Sequence, residues 1–258
     1  MSGRRVVHDV SQHLLLVVGG TGYVGSNILQ RAVQKGITVR SLNRGGRPAW
    51  DNTPWLDKVE WFQGDVFSKE DLQKAVAGTT GVISTVGAFG SNEHMQRLCG
   101  DATIEAVRAA KDAGTERFVF ISESRVGRHI PTWAPLYGYF NGKERAEAAV
   151  RAHFPKTGVS LRPGFVYGTR RVHVNNTDLF LPLQLVGAPL SFAARQLGPV
   201  SAVLSRVPVL GGELLATCPV GALAKAAVLS AIAPVHCDVL DTANIIALGD
   251  SFHETVGA

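Results

Sequence analysis

The chain has 258 residues, of which 45% are hydrophobic and 18% are charged, with a formal net charge of +5 and a pI of about 9.3. This composition predicts a globular protein with one large α/β domain, or a core with a small appended lobe. Lysine and arginine are scattered without a run of five, so the basic charge does not predict a nucleic-acid surface. The three cysteines lie far apart, which argues against a disulfide framework or a zinc site and favours a reducing compartment.

Residues 1–13 are short and mixed in character, and we predict a flexible N-terminus there. Arg4 and Arg5 could instead be the remainder of an organellar presequence. No stretch of eighteen uncharged apolar residues precedes the fold, so neither a spanning helix nor a signal peptide is expected. The eight histidines are dispersed without metal-ligand spacing, and we predict no metal site.

An apolar run at Leu14–Val18 is followed by glycines at a spacing of three, and then by helical periodicity over residues 26–33. A continuous apolar run is typical of a buried parallel strand. In such a strand-to-helix turn, one glycine permits the bend, one admits a pyrophosphate and one allows close packing, and the helix N-terminus faces the phosphates. The residues predicted to bind the phosphates are Gly19, Thr21, Gly22, Tyr23, Val24 and Gly25.

Residues 37–42 predict a second strand, and the tip of this strand selects the cofactor. A site specific for NAD places Asp or Glu at the tip to bind the ribose 2′-hydroxyl. Here Asn43 stands at that position, while Arg44 and Arg47 offer cations that suit a phosphate. The tip therefore favours NADP(H) over NAD(H), although both arginines could simply be solvated.

Strands and helices continue to alternate as far as residue 122. This alternation predicts an α/β fold with a doubly wound parallel sheet, the NAD(P)-binding Rossmann fold, with right-handed crossovers. The predicted strands are 59–66, 81–87 and 117–122, and the predicted helices are 68–77 and 92–113.

Two of these strand ends are candidate nucleotide contacts. Asp65 can accept a hydrogen bond from the adenine amino group while Val66 covers the ring; alternatively, Asp65 caps a helix or a turn. The end of the next strand, at Thr85, Val86 and Gly87, should lie over the dinucleotide.

Tyr139 and Lys143 are four residues apart at the start of a predicted helix, which places them on one face. An ammonium group beside a phenol stabilises the phenolate, so such a tyrosine can exchange a proton with a carbonyl oxygen near neutral pH. Lys143 can also hold the nicotinamide ribose. Ser122 or Ser124, just past the fifth strand, could polarise the same carbonyl, and Ser122 is also predicted to contact the cofactor. The alternative is that Tyr139 and Lys143 are ordinary surface residues.

Residues 159–168 predict a sixth strand and its exit loop. Proline and glycine in this segment would turn the chain across the nicotinamide end of the site. The residues predicted to contact the cofactor there are Pro163, Gly164, Phe165 and Val166.

The segment 179–212 contains no Asp, Glu or Lys, and its four prolines preclude a single membrane span. Short helices that form a lid, that lie on a membrane or partner, or that build a buried substrate lobe all fit this composition. An apolar surface here would suit a quinone or isoprenoid tail better than a sugar. Beyond it, residues 219–232 predict a helix and 238–240 an edge strand. We therefore divide the chain into the terminus 1–13, a Rossmann core at 14–170 and a C-terminal lobe of the same domain at 171–258.

The motif order over residues 14–170 resembles the atypical and extended branch of the short-chain dehydrogenase/reductase superfamily. Residues 19–26, 87–92, 117–122, 138–147 and 161–170 look like the plant and fungal mitochondrial proteins associated with coenzyme Q biosynthesis, which are related to the NADPH-carrying accessory subunit of respiratory complex I. The resemblance implies an NADP(H)-binding protein on the matrix side of the mitochondrial inner membrane, in contact with a respiratory or quinone-biosynthesis complex. Members of this group often bind the nucleotide for structural reasons.

Within this resemblance, Ser124 fits the superfamily spacing better than Ser122, and a short loop before Tyr139 argues against a sugar substrate. The leading hypothesis is an NADP(H)-binding protein of mitochondria that works in quinone metabolism or as a subunit of a respiratory complex. If it is an enzyme, a hydride passes between the nicotinamide and a carbonyl, with Tyr139 as acid and base, Lys143 as its partner and Ser124 as polarising group. A second hypothesis is a subunit whose bound nucleotide only stabilises a docking surface. A third is an RNA-binding relative of the chloroplast type, which the scattered charge disfavours.

Overall fold

A parallel sheet lies at the centre of the structure, a computed structural model that describes residues 10–49, 51–124, 130–174, 177–182, 217–235 and 237–252. Along 170–174 and 177–182 the backbone alone is described. The described strands are β1 (Leu14–Val18), β2 (Thr38–Asn43), β3 (Val59–Gln63), β4 (Gly81–Ser84), β5 (Arg117–Ile121), β6 (Gly158–Arg162), β7 (Phe165–Tyr167), β8 (Thr169–Val174), β9 (Thr177–Pro182), β10 (Thr217–Pro219) and β11 (Val239–Asp241).

Seven of these strands form the sheet in the order β11-β6-β5-β4-β1-β2-β3, and every neighbouring pair is parallel. The chain moves outward from β1 in one direction and then crosses to the other side, so a crevice opens at the carboxyl ends of β1 and β4. The predicted doubly wound Rossmann sheet is confirmed, as is the edge strand near residue 240.

Helices cover both faces of the sheet. They are α1 (Tyr23–Gln34), α2 (Lys69–Val76), α3 (Asn92–Gln96), α4 (Ala102–Asp112), α5 (Tyr137–His153), α6 (Val220–Ile232) and α7 (Thr242–Asp250), with 3₁₀ turns at Val10–Gln12 and Pro54–Lys58. None of the helices in the described part of the chain has the length and apolar character needed to cross a membrane.

The side chains of strand β1 are buried on both faces of the sheet. Leu15 and Val17 point into one core cluster, together with α1 and α6, whereas Leu16 and Val18 point into the other, together with α2, α4 and α5. Because successive side chains of a strand face opposite sides, a continuous apolar run is what a sheet covered on both faces requires.

The predicted helix 92–113 is not one regular helix. A π-helical segment, Arg97–Asp101, separates α3 from α4. It lies against α5, where Gly100 and Gly142 meet so closely that a Cβ on Gly142 would lie 3.0 Å from the Gly100 nitrogen. This close crossing brings the start of α5 towards the end of β4.

The described part of the C-terminal region contributes to the core. Helix α6 packs against α1, and most of its alanine and leucine side chains are buried. Strand β7 leaves the main sheet to pair with β10, while β8 and β9 form an antiparallel pair. Of the apolar segment 179–212, residues 179–182 end strand β9, so they are not part of a short helix, and 183–212 lie outside the described residues.

At the other end of the chain, residues 10–12 form a 3₁₀ turn, and Val10 packs against the core. Regular structure therefore includes part of the terminus that we predicted to be flexible. Residues 1–9 lie outside the described part of the chain.

Candidate functional site

The glycine turn between β1 and α1 leaves a helix N-terminus open. Gly19 has a φ of +87°, and Gly22 donates a hydrogen bond of 3.0 Å to the Gly19 oxygen. A Cβ on Gly25 would collide with that same oxygen, so only glycine allows this packing. In the described structure, α1 has no side-chain cap and no acidic residue in its first turn. Its first amides and the positive end of its dipole are therefore available to an anion.

A cleft of about 570 Å³ extends from this turn along the carboxyl ends of β1, β2 and β4. Of the residues predicted from the sequence, those that line it are Gly19, Thr21, Gly22, Asn43, Arg44, Asp65, Val66, Thr85, Val86 and Gly87. Those that we did not predict are Val18, Leu42, Gly45, Gly64, Phe67, Ala88, His94, Arg97 and Leu98.

The tip of β2 presents a buried polar atom beside this cleft. Asn43 donates from Nδ2 to the Ser41 hydroxyl at 3.2 Å, but its Oδ1 is buried and has no partner among the described residues. A buried acceptor without a donor costs roughly 1–3 kcal/mol, which a ribose hydroxyl would recover. Arg44 lines the cleft, whereas Arg47 forms an ion pair of 2.6 Å with Asp57 and is not among the lining residues.

Asp65 is the one carboxylate among the described lining residues, and it also holds its own turn. Its Oδ1 accepts a hydrogen bond of 3.0 Å from the Phe67 amide, and its main-chain oxygen accepts one from Ser68. Asp65 therefore stabilises a turn, which was the alternative role that we predicted, and its exposed carboxylate also lines the cleft.

Thr85 joins the end of β4 to the glycine turn. Its hydroxyl donates to the main-chain oxygens of Val18 and Gly19, at 2.9 and 3.1 Å. These two hydrogen bonds hold the glycine turn against the end of β4. Thr85, a predicted cofactor contact, therefore also supports the backbone that is predicted to bind the phosphates.

Arg97 and His94 form a wall of the cleft that sequence reasoning missed. The guanidinium of Arg97 lies 4.4 Å from the Phe67 ring centroid, a distance typical of a cation–π contact. Arg97 is the first residue of the π-helical segment, which departs from the regular period used to predict the inner face of this helix. No signal in the sequence marks that departure.

Lys143 is buried beneath the carboxyl end of β5. Its Nζ donates a hydrogen bond of 2.6 Å to the Ile121 oxygen and lies 4.5 Å from the Phe120 ring centroid. The side chain is 4% exposed, and burial lowers the pKa of Lys143 to about 8. Nearby Cys99, Glu123 and Glu147 oppose this lowering of the pKa.

Tyr139 lies one turn before Lys143 on α5, with Nζ 5.9 Å from the centroid of its ring. The Tyr139 ring stacks on Phe89 at a centroid distance of 5.2 Å and meets Phe140 edge-on. Ser124 donates from its hydroxyl to Glu123 at 3.1 Å, and its amide donates to the Pro163 oxygen. The three predicted catalytic residues thus lie in segments that meet at the end of β5.

Ser122, a predicted cofactor contact, is not among the residues that line this cleft. Its hydroxyl donates a hydrogen bond of 2.5 Å to buried Glu147, which also accepts two hydrogen bonds from Arg162. The bond to Glu147 raises the pKa of Arg162. The Ser122 hydroxyl therefore joins β5 to α5 and, through Glu147, to β6.

The other predicted contacts at this end belong to the connection between β6 and β7. Gly164 donates from its amide to the Thr242 hydroxyl at 2.9 Å, while Phe165 and Val166 are partly buried in β7. Tyr23, Val24 and Gly25 form the first turn of α1. In the described part of the chain, no three His, Cys, Asp or Glu side chains come together as a potential metal site.

The parallel sheet, the glycine turn and the Tyr139 and Lys143 pair define an atypical short-chain dehydrogenase/reductase with a nicotinamide dinucleotide site. A family model described as NAD(P)H-binding matches residues 19–177, which is more than half of the chain. The chain belongs to this NAD(P)H-binding family.

The chain is 43% identical over 185 residues to an uncharacterised chloroplastic protein of Arabidopsis thaliana, covering 72% of this chain and 60% of that protein. It is 28% identical over 162 residues to the mitochondrial protein fmp-52 of Neurospora crassa, covering 60% of this chain and 65% of that protein. The chain therefore spans less than two thirds of the length of either relative.

Among solved structures, the chain resembles MoeE5 in complex with UDP-glucose and NAD. The TM-score is 0.59 at 19% identity, over 92% of this chain and 81% of that chain. This similarity shows a shared fold.

Proposed function

We propose that the protein is an NADP(H)-dependent carbonyl reductase of mitochondria that acts in ubiquinone metabolism or as an accessory subunit of respiratory complex I. The observation that carries the proposal is the burial of Lys143 within 5.9 Å of the Tyr139 ring centroid, at the end of the sheet that carries the glycine turn. An ammonium group near a phenol stabilises the phenolate, so this arrangement would help Tyr139 to transfer a proton to a carbonyl oxygen.

The residues of the site divide the chemistry between them. When bound, the reduced nicotinamide supplies the hydride that the carbonyl carbon accepts. Tyr139 donates its hydroxyl proton to the carbonyl oxygen, and the Lys143 ammonium stabilises the phenolate that remains. Ser124 donates a hydrogen bond to the same oxygen once its hydroxyl turns away from Glu123. The products are an alcohol and the oxidised cofactor.

The preference for NADP(H) rests on the tip of β2. At this tip Asn43 and Arg44 line the cleft where a site specific for NAD would carry a carboxylate. Among the described lining residues the one carboxylate is Asp65, which follows β3 and does not belong to the tip of β2. The ion pair between Arg47 and Asp57 is half exposed, and exposed pairs contribute about 0–1 kcal/mol, so a 2′-phosphate can compete for Arg47.

The location in mitochondria is supported by the name of the Neurospora relative. The Arabidopsis relative is chloroplastic, which makes a plastid the alternative location. The association with the matrix side of the inner membrane and with a respiratory or quinone-biosynthesis complex rests on the sequence resemblance and on the apolar composition of residues 179–212. A nucleic-acid partner is not part of the proposal, because the basic residues are scattered.

A second candidate is a structural subunit that keeps its nucleotide without turnover. The hydrogen bond from Ser124 to Glu123 favours this alternative, because it occupies the hydroxyl that would polarise a carbonyl. In that case NADPH should raise the midpoint of thermal unfolding while the protein consumes none of it.

One comparison of variants distinguishes the reductase from the structural subunit. Tyr139→Phe removes the proposed acid, while Tyr137→Phe removes a phenol from the first residue of the same helix and serves as the control. We expect Tyr139→Phe to lose NADPH oxidation with an aryl ketone while both variants bind NADPH as the wild type does. Equal turnover in Tyr139→Phe and the wild type would exclude the proposed acid, and no turnover by the wild type would support the structural subunit.

A further inference from the structure

The exposed large apolar side chains of the described residues lie on the loop that stacks on the Tyr139 ring and in the segment that precedes Tyr139. They are Phe89, Trp133 and Leu136, with exposed fractions of 74%, 82% and 37%, and we refer to these three as the aromatic rim. Large apolar side chains that are exposed together mark binding surfaces more often than those that are scattered singly.

A ring contact and two hydrogen bonds of the Asn92 side chain connect the two segments of the rim. Phe89 stacks on the Tyr139 ring with an interplanar angle of 14°. Asn92, three residues after Phe89, accepts a hydrogen bond from the Gly138 amide at 2.9 Å and donates one to the Ala134 oxygen at 3.4 Å. The loop that carries Phe89 is therefore bound to the segment that carries Trp133 and Leu136.

The backbone of Gly138 lies in close contact with the backbone of Asn92. A Cβ on Gly138 would collide with the Asn92 oxygen, so a side chain there would force the two segments apart. Leu136 adopts a φ of +69°, an uncommon conformation for a residue with a side chain, at the position that precedes α5. A strained residue beside a candidate acid persists only where the surrounding contacts determine its conformation.

We infer that the aromatic rim binds the ring of a planar aromatic or quinoid carbonyl compound, with Phe89 as the stacking surface. The inference rests on the proposed reductase function, because it assigns a substrate class to the same site. The Tyr139 ring covers one face of Phe89, so a flat ring would stack on the exposed face of Phe89, parallel to both rings. Stacked aromatic pairs are favourable beyond their buried area.

The test measures binding without turnover. Protein loaded with NADP⁺ is titrated with 2-acetylnaphthalene, a planar aryl ketone, and with its fully saturated analogue. We expect Phe89→Leu to weaken binding of the aryl ketone by about tenfold and Phe89→Tyr to leave it within about twofold. Neither variant should alter the affinity for NADP⁺, because Phe89 does not line the nucleotide cleft. The saturated analogue should bind both variants and the wild type alike.

Three outcomes would overturn the inference: no measurable binding of the aryl ketone to the wild type, equal affinity in Phe89→Leu, or equal losses for both ketones. A fourth is that Phe89→Leu and Trp133→Ser lose affinity for vesicles of phosphatidylcholine and cardiolipin while aryl ketone binding is unchanged, which would assign the rim to a membrane. The proposed function can fail separately. If the wild type never reduces the ketone but Phe89→Leu still loses binding selectively, the rim assignment stands and the reductase does not.

Discussion

The Nζ of Lys143 donates a hydrogen bond of 2.6 Å to the main-chain oxygen of Ile121, at the last residue of β5. The bond fixes the ammonium at the end of the sheet, one helical turn from Tyr139. It also replaces some of the hydration that a buried ammonium loses, but burial still lowers the pKa of Lys143 to about 8.

Replacing Lys143 by methionine should change how stability depends on pH. The pKa of Lys143 is about 8 in the folded protein, against an ordinary value of 10.5. Between these values the unfolded chain binds more protons, so stability of the wild type should rise with pH across this window, and Lys143→Met should lack the rise. The difference in the free energy of unfolding between the two proteins should change by about 3 kcal/mol across the window.

Urea unfolding at a series of pH values measures this difference. Lys58→Met, at an exposed position, is the control and should follow the wild type. Parallel curves for Lys143→Met and the wild type would show that burial does not shift the pKa of this lysine.

Glu147→Gln should destabilise the protein by about 3 kcal/mol, because it leaves the Arg162 guanidinium without its carboxylate in a largely buried network. Glu144→Gln changes an exposed carboxylate of the same helix and should cost no more than about 0.5 kcal/mol. Chemical unfolding at neutral pH compares the two variants. Similar small losses in both would mean that the Ser122, Glu147 and Arg162 network contributes little to stability.

Gly25→Ala should weaken NADPH binding by at least about tenfold, since the added methyl group collides with the Gly19 oxygen and displaces the glycine turn from the phosphates. Fluorescence titration with NADPH measures the affinity, and Ser26→Ala, at the next position of α1, is the control. Unchanged affinity in Gly25→Ala would place the phosphates away from this turn.

Arg44→Ala should weaken NADPH binding by about tenfold to a hundredfold and leave NADH binding nearly unchanged, because a charge-assisted hydrogen bond to the 2′-phosphate contributes roughly 1.5–3 kcal/mol. Arg47→Ala should have a smaller effect, since Arg47 already pairs with Asp57. Parallel titrations with the two cofactors provide the measurement. If Arg44→Ala weakens both cofactors equally, Arg44 does not distinguish them.

Local patterns were sufficient to predict the first half of the fold. Leu14–Val18 is apolar without alternation, and the glycines that follow it permit one turn geometry, so strand, turn and helix could be assigned from neighbouring residues. The predicted helix start at Ser68 is confirmed for the same reason, because its hydroxyl caps α2 through the Asp71 amide.

Features that depend on distant residues could not be predicted. A serine at the end of a strand can face a cleft or the core, and Ser122 faces the core because Glu147 and Arg162 lie there. The π-helical segment that carries Arg97 lies against α5, which is more than thirty residues away in the chain. The aromatic rim likewise depends on contacts between Asn92 and Gly138, which no local pattern reveals.

Transfer of a labelled hydride tests the central claim most directly. The wild type is incubated with 2-acetylnaphthalene and with NADPH that carries deuterium at both C4 positions of the nicotinamide, and the alcohol is analysed by mass spectrometry. We predict that the alcohol formed by the wild type and by Tyr137→Phe gains one deuterium at the former carbonyl carbon, and that Tyr139→Phe forms no labelled alcohol. A wild type that binds NADPH but forms no labelled alcohol, or a Tyr139→Phe variant that forms as much as the wild type, would contradict the assignment of this site as a reductase that uses Tyr139.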